Sequence, residues 1–221
     1  MTLHLHRLTL NLAVREVRRD LGNAYDMHRT MARAFVSGPD AGVGPFLWRL
    51  ETNQQAELPT LLVQSQQQPI WDHLPVGYLL NQAQRSWSPE AVFDLGRPIA
   101  FRVRANPTVH RVPQAAHGEG LSQGSAREQR KRLGLWKESE QLEWLQRKAA
   151  HIGLGDVAAA VSQSERLRCR RGSKVMTVAA AQFDGQAVIA DPEALATAVR
   201  SGIGHARMLG MGLLSVAPLR A

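Results

Sequence analysis

The sequence predicts an α+β fold in which a strand–helix–strand–strand–(helix)–strand order occurs twice in tandem. Three observations predict it: short strand-like apolar runs recur along the chain, helical stretches separate them, and a turn-rich segment divides the whole near its middle. That segment, Ser86–Pro98, holds Ser88-Pro89 and Gly96-Arg97-Pro98 and sets a boundary near residue 95. A length of 221 residues accommodates one large domain or two small ones. The expected units are therefore residues 1–95 and 96–221.

The first unit opens with Leu3–Leu12, where apolar and polar residues alternate except at Arg7-Leu8, as in a half-buried strand with a bulge at the break. A helix follows from about Glu16, stops at Gly22-Asn23 and restarts at Ala24. Phe46–Glu51 and Pro59–Gln66 are the next strands, and Ile70–Leu80 is a brief helix. The second unit restarts with the strand Ile99–Ala105. His110–Ser125, rich in Gly, Gln, Ser and His, is expected to be a long mobile loop. Helix Glu138–Ala150 precedes a strand pair around Arg166–Cys169 and Lys174–Phe183, and a turn at Asp184-Gly185 leads to a short strand, Gln186–Ile189. Asp191 as N-cap and Pro192 as first residue open a helix that runs to about Arg200. A glycine-rich loop and the strand Leu213–Ala217 close the chain. In both units this is the split βαβ order of ferredoxin-like domains.

Composition narrows the function. No run approaches the ~20 apolar residues of a membrane span, and the N-terminus lacks the charged, apolar and small-residue regions of a secretory signal. The single cysteine, Cys169, excludes an internal disulfide framework and a cysteine-based zinc site, so a reducing cytoplasm is the expected compartment. Lys and Arg number 27 against 19 Asp and Glu, a net charge of +8. Residues 1–95 carry 8 basic and 9 acidic side chains, whereas 96–221 carry 19 and 10. The excess is mostly arginine, whose planar fork suits phosphate. It reads either as a footprint for a polyanion or as a solvated face that keeps the protein soluble.

The segment Asn23–Phe35 is the richest in chemistry. Asn23 suits the N-cap, with Asp26 near the position of a capping box. At ~100° per residue, Ala24, Met27, Met31, Ala34 and Phe35 share one face; Tyr25, Arg29 and Arg33 fall on the other, with His28 between. Tyr25 and His28 are neighbours on the helix surface. A histidine beside a phenol and guanidinium groups is suited to move a proton next to a phosphate, with Arg29 and Arg33 stabilising charge. The plainer reading is a hydrogen-bonded boundary histidine.

Other segments speak to binding. Arg166, Arg168 and Arg170 share one strand face at a spacing of ~6.6–7 Å, which approximates that of successive backbone phosphates. Arg171 and Lys174 flank the turn at Gly172-Ser173. Arg127, Arg130, Lys131 and Arg132 form a second basic group ahead of Trp136. Gly202, Gly204, Gly210 and Gly212 fit neither the dinucleotide pattern, because Arg207 takes the third glycine position, nor the P-loop. Their loop either brings backbone N–H groups against a ligand or allows tight helix–strand packing. His4 and His6 have no third ligand partner in the sequence. Without H-E-x-x-H or a dense carboxylate cluster, a metal-dependent hydrolase is disfavoured, and no metal or cofactor is expected.

In order along the chain, Tyr25–Thr30, Phe46–Glu51, Phe101-Arg102-Val103-Arg104-Ala105-Asn106-Pro107, Glu140–Lys148 and Gly202-Ile203-Gly204…Gly210-Met211-Gly212-Leu213-Leu214-Ser215-Val216-Ala217-Pro218 resemble the CasE-type CRISPR repeat endoribonucleases of type I-E systems. The resemblance covers nearly the whole chain. It implies tandem ferredoxin-like, RRM-like domains that bind a repeat hairpin, cut at its 3′ base without metal, keep the mature guide RNA and join the multisubunit surveillance complex. By position it makes His28 and Tyr25 the active-site pair and Arg166–Lys174 the region that grips the RNA stem, with Arg102, Arg104 and the four loop glycines as further RNA contacts. Some relatives carry a lysine where this chain has Arg33, which can stabilise phosphate charge but not exchange a proton.

The chemistry implied is attack by the RNA's own 2′-hydroxyl, giving a 2′,3′-cyclic phosphate and a 5′-hydroxyl. Two other classes stay open on residues alone: a non-catalytic module that holds structured RNA in an assembly, and a small-molecule phosphate binder using the glycine loop. The second leaves the arginine row without a role.

Overall fold

The first strand accounts for the break in the opening alternation. In the computed structural model, which describes residues 1–36, 38, 42–51, 58–111 and 131–219, β1 spans Leu3–Leu10. Leu8 and Leu10 enter a core with Val17, Met27, Met31, Phe35, Trp48, Leu61 and Val63. Leu3, which points to the opposite side of the pleat, enters a second core with Phe93, Phe101 and Leu214. The break at Arg7-Leu8 is therefore a change of buried face and not the bulge expected there. Pairing with the neighbouring strand slips only at Thr9/Leu10.

Strands β2 (Phe46–Glu51), β3 (Thr60–Ser65) and β4 (Leu79–Trp87) complete an antiparallel sheet in the order β2-β3-β1-β4. Helices α1 (Arg15–Leu21) and α2 (Ala24–Ala32) follow β1, and α2 continues as a 3-10 turn, Arg33–Phe35. Met27, Met31, Ala34 and Phe35 are buried and Arg29 and Arg33 exposed, as the helical period predicts. The helix expected in Ile70–Leu80 shrinks to a 3-10 turn, Trp71–His73, because Pro75 and a left-handed Gly77 end it. β4 is the strand the sequence conceals: its side chains are almost all exposed, so it shows no apolar alternation and joins β1 through the backbone ladder.

The second sheet has the order β10-β5-β9-β8, also antiparallel. It comprises β5 (Pro98–Ala105), β8 (Leu154–Arg171), β9 (Lys174–Ile189) and β10 (Leu214–Pro218), with β6 (Thr108–Arg111) and β7 (Lys131–Gly134) forming a separate ladder. Helices α3 (Glu138–His151) and α4 (Pro192–Ser201) cover it. Asp191 caps α4 as expected, accepting from the Glu193 and Ala194 amides at 3.0 Å each. The expected mobile loop supplies His110 and Arg111 to β6; residues 112–125, like Arg127 and Arg130, lie outside the described residues.

Two expectations fail in β9. Asp184-Gly185 is not a turn but lies inside the strand. A Cβ on Gly185 would stand 2.5 Å from the Ala158 carbonyl oxygen, so the glycine marks a close approach of β8, whose register slips on either side. The strand pair is also longer than expected. From Lys174 to Ala180, β9 pairs with β8 and not with β5, and this end of the hairpin exposes most of its side chains.

Arg49 joins the two sheets. Its side chain is 2% exposed. Nη1 donates to the Leu213 and Arg102 carbonyls at 3.0 and 3.2 Å, Nη2 to Ser215 Oγ at 3.0 Å, and Nε to Glu51 Oε1 at 2.8 Å. Gln64 adds a bond from Nε2 to the Val199 carbonyl at 2.7 Å. Among the described residues no helix is long and apolar enough to cross a membrane.

Candidate active site

Helix α2 sets His28 on the edge between its buried and exposed faces, and β2 supplies the floor. The imidazole stacks on Phe46 at 4.9 Å between centroids and 14° between planes, and Phe46 stacks in turn on Phe35 at 4.4 Å. Nδ1 is shielded and has no partner among the described residues, so the ring addresses its surroundings through Nε2. Burial lowers the His28 pKa from its ordinary value, which leaves the imidazole neutral at pH 7 with a lone pair available.

His28 lines a cleft of about 640 Å³ between the two sheets. The other walls are Val43–Leu47, Gln64–Gln66, the end of α4 with Thr197, Arg200 and Ser201, and Arg207 and Met208 of the glycine-rich loop. Arg200 is held by Glu90 and by Thr197 Oγ1. Arg207 is exposed, and among the described residues no carboxylate pairs with it.

Tyr25 looks elsewhere. It does not line this cleft, and the Arg171 guanidinium sits 5.6 Å from its ring centroid. The N-terminus of α2 is in fact fastened to the β8–β9 hairpin. Asn23 occupies the N-cap position but makes no side-chain cap. Its Nδ2 instead donates to the Arg170 carbonyl at 3.0 Å and to Asp26 Oδ2 at 2.7 Å, while its Oδ1 accepts from the Arg170 amide at 3.1 Å. Cys169 lies beneath this junction with the Ala24 and Tyr25 amides at its sulfur, and burial pushes its thiol up.

Strand alternation then turns Arg166, Arg168 and Arg170 outward, all exposed, while Cys169 and Arg171 on the other face meet α2. Arg166 lies over the Trp136 ring at 4.5 Å. Lys174 stands opposite Arg171 across the turn and is exposed.

The remaining expected residues are placed less openly. Arg102 pairs with Asp184 and with Glu51, the latter at 3.2 Å, and Arg104 pairs with Glu165. Arg29 is 3.7 Å from Asp26, and neither Arg29 nor Arg33 lines the His28 cleft. Gly202, Gly210 and Gly212 are buried and donate their amides to the carbonyls of Ala198, Arg207 and Arg104. A Cβ on Gly210 would stand 2.8 Å from the Trp48 ring. These three amides serve packing and leave no N–H for a phosphate; half-buried Gly204 lies over Trp144. Residue patterns did not point to Phe46, Arg200 or Arg207 as site members, since the cleft joins segments more than a hundred residues apart. Among the described residues no group of three or more His, Cys, Asp or Glu is placed to hold a metal ion.

Comparison with known proteins gives a consistent set of relatives. Residues 3–218 match the model of a family described as CRISPR associated protein. The chain is 34% identical over 226 residues to the CRISPR-associated endoribonuclease Cse3 of Thermus thermophilus, across 97% of this chain and 99% of that one. It is 32% identical to the CRISPR system Cascade subunit CasE of Escherichia coli, across 91% and 94%. A solved structure of the endoribonuclease Cse3 bound to a 19-nucleotide RNA matches with a TM-score of 0.80 at 33% identity, over 99% of this chain and 100% of the other.

Proposed function

The chain belongs to the Cse3/CasE family of CRISPR-associated endoribonucleases, and on that premise we propose that it binds a CRISPR repeat hairpin and cuts it at its 3′ base. The observation that carries this reading is His28, neutral and stacked on Phe46, at the wall of a cleft that also holds Arg207.

The reaction follows from the RNA's chemistry. The 2′-hydroxyl upstream of the scissile phosphate gives its proton to His28 Nε2 and attacks phosphorus in line. The bond to the 5′-oxygen breaks, that oxygen takes a proton from water while His28 later returns its own to solvent, and a 2′,3′-cyclic phosphate and a 5′-hydroxyl result. No metal takes part in this proposal. Tyr25, one helical turn from His28 and beneath Arg171, meets the RNA from the hairpin side and orients the reacting strand. Arg29 and Arg33 add positive field around the helix without entering the cleft.

Binding rests on the β8–β9 hairpin. The base edges of A-form RNA lie in a deep, narrow major groove, so a row of outward guanidinium groups at phosphate spacing suits the stem backbone. Arg166, Arg168 and Arg170 form that row, with Arg171 and Lys174 at its end. Arg102, Arg104 and Gly204 border the RNA path. The strand orders β2-β3-β1-β4 and β10-β5-β9-β8 support reading residues 1–95 and 96–221 as two ferredoxin-like units in tandem. After cleavage the guide RNA stays bound and the protein takes its place in the Cascade surveillance complex in the cytoplasm.

A single 2′-deoxy substitution just upstream of the scissile phosphate tests the mechanism. Cleavage stops while affinity hardly changes, and the all-RNA hairpin is cut in excess EDTA. Normal cleavage of the deoxy substrate, or a requirement for Mg²⁺, defeats the proposal.

A further inference from the structure

Among the described residues, the His28 cleft presents one uncommitted guanidinium to an entering anion. Arg200 is held by Glu90 and Thr197, and the guanidinium groups of α2 lie outside the lining. Arg207 differs from all of these. Its side chain is exposed in the cleft, and its one hydrogen bond among the described residues runs from Nε to the Gly204 carbonyl at 3.3 Å. That bond anchors the near side of the fork and leaves both Nη groups for a ligand.

The loop is built to hold this side chain. Ala206, immediately before it, has φ +60°, a left-handed conformation that residues with a Cβ adopt rarely and that recurs at functional sites. The 3-10 turn Arg207–Leu209 follows, with Leu209 buried, and ends at Gly210 against Trp48, two residues along β2 from Phe46. The strand that floors His28 thus also seats the turn that carries Arg207. Backbone strain, glycine packing and an unpaired fork coincide at one arginine.

We propose that Arg207 is a further catalytic residue: its Nη groups contact a non-bridging oxygen of the scissile phosphate and stabilise the negative charge that develops as the 2′-hydroxyl attacks. This rests on the endoribonuclease reading above and adds a residue outside the helix-borne set of His28, Tyr25, Arg29 and Arg33. A fork fixed by Nε is preorganised for an oxyanion, which is where removal of a single donor typically costs 10²–10³ in rate.

The test is single-turnover cleavage of a repeat hairpin by saturating full-length protein. Arg207→Ala is expected to cut about 10²-fold more slowly, with hairpin affinity within about threefold of wild type, since one phosphate contact of many is lost. Arg207→Lys keeps the charge without the fork and falls between the two. Millimolar methylguanidinium is expected to restore part of the rate to Arg207→Ala and none to His28→Ala, an outcome that a structural role for Arg207 does not produce. Cleavage by Arg207→Ala at the wild-type rate overturns the proposal. So does a rate loss that excess protein removes, because Arg207 then only binds. Failure of the underlying reading looks different: the wild-type protein itself leaves every repeat hairpin uncut.

Discussion

Asn23 and Arg170 grip each other through two hydrogen bonds of opposite direction, side-chain amide to carbonyl at 3.0 Å and backbone amide to Oδ1 at 3.1 Å. The pair behaves as one extra rung on the outer edge of β8, contributed by a side chain. It fixes the N-terminus of α2, and hence the first turn with Tyr25 and His28, to the hairpin that carries the arginine row. The strand proposed to grip RNA is thereby in register with the helix that holds the proposed base.

Asn23→Ala removes both bonds without removing charge. Each partly exposed bond contributes about 1 kcal/mol, so the variant is expected to lose about 1–2 kcal/mol in urea unfolding. Single-turnover cleavage should slow about tenfold at saturating RNA, as the helix loses its alignment. A variant that melts earlier but cuts at full rate shows that the junction is structural alone.

His28→Ala should lower single-turnover cleavage by 10²–10⁴, the usual range for a general acid–base group, with affinity changed only a few-fold. Burial lowers the His28 pKa, and its neutral form accepts the proton, so kcat/KM for the wild type stays level down to the ordinary histidine value near 6.5 and declines only below it. A profile that instead declines as pH rises through neutrality makes His28 the acid.

Periodicity alone located α2 and its faces, because Met27, Met31 and Phe35 fall at helical spacing and each is buried. Capping residues in turn placed Asp191 and Pro192 at the start of α4. Periodicity missed β4, whose polar exposed side chains leave only backbone pairing to define it, and turn chemistry misread Gly185, where Asp-Gly mimics a turn but permits a close strand approach. Arg207 looked like a defect in a glycine motif; its meaning depends on a cleft assembled from α2, β2, α4 and the loop. Three-dimensional convergence of that kind has no local signature.

Arg49 should matter to stability more than its lack of exposure to ligand suggests. Five hydrogen bonds leave its guanidinium, two of them to the Arg102 carbonyl in β5 and the Leu213 carbonyl just before β10, and one to Ser215. Arg49→Ala strands these acceptors and leaves Glu51 with Arg102 as its ion-pair partner. A loss of about 3 kcal/mol is expected, as for a broken buried pair. Denaturant titration measures it, and a loss below 1 kcal/mol means that the two sheets are held by apolar contact instead.

His6 links stability to acidity. It is buried, accepts a hydrogen bond from Trp71 Nε1 at 3.2 Å, and burial together with His4 lowers its pKa to about 4. The unfolded chain, titrating near 6.5, takes up the proton more readily. The contribution is therefore complete above pH 6.5 and is lost as pH falls toward 4, amounting to about 3 kcal/mol over that window. His6→Asn keeps an acceptor for Trp71 and does not titrate, so its unfolding midpoint should fall less between pH 7 and 4.5. Parallel losses in both proteins acquit His6.

The arginine row makes a prediction about salt. Arg168 and Arg170 are exposed with no carboxylate partner among the described residues, whereas Arg166 lies over Trp136 and Arg104 is neutralised by Glu165. Each phosphate neutralised releases counterions and adds roughly 0.7–0.9 to the slope of log K against log salt. Replacing Arg166, Arg168 and Arg170 together with Gln should reduce that slope by about 2 and weaken hairpin binding most at low salt. Arg104→Gln should change it little, because Glu165 already occupies its charge. If the triple variant keeps the wild-type slope, the outward row faces solvent and the positive excess of residues 96–221 serves solubility; if Arg104→Gln alone flattens it, the RNA displaces Glu165 and runs across β5 instead of along β8.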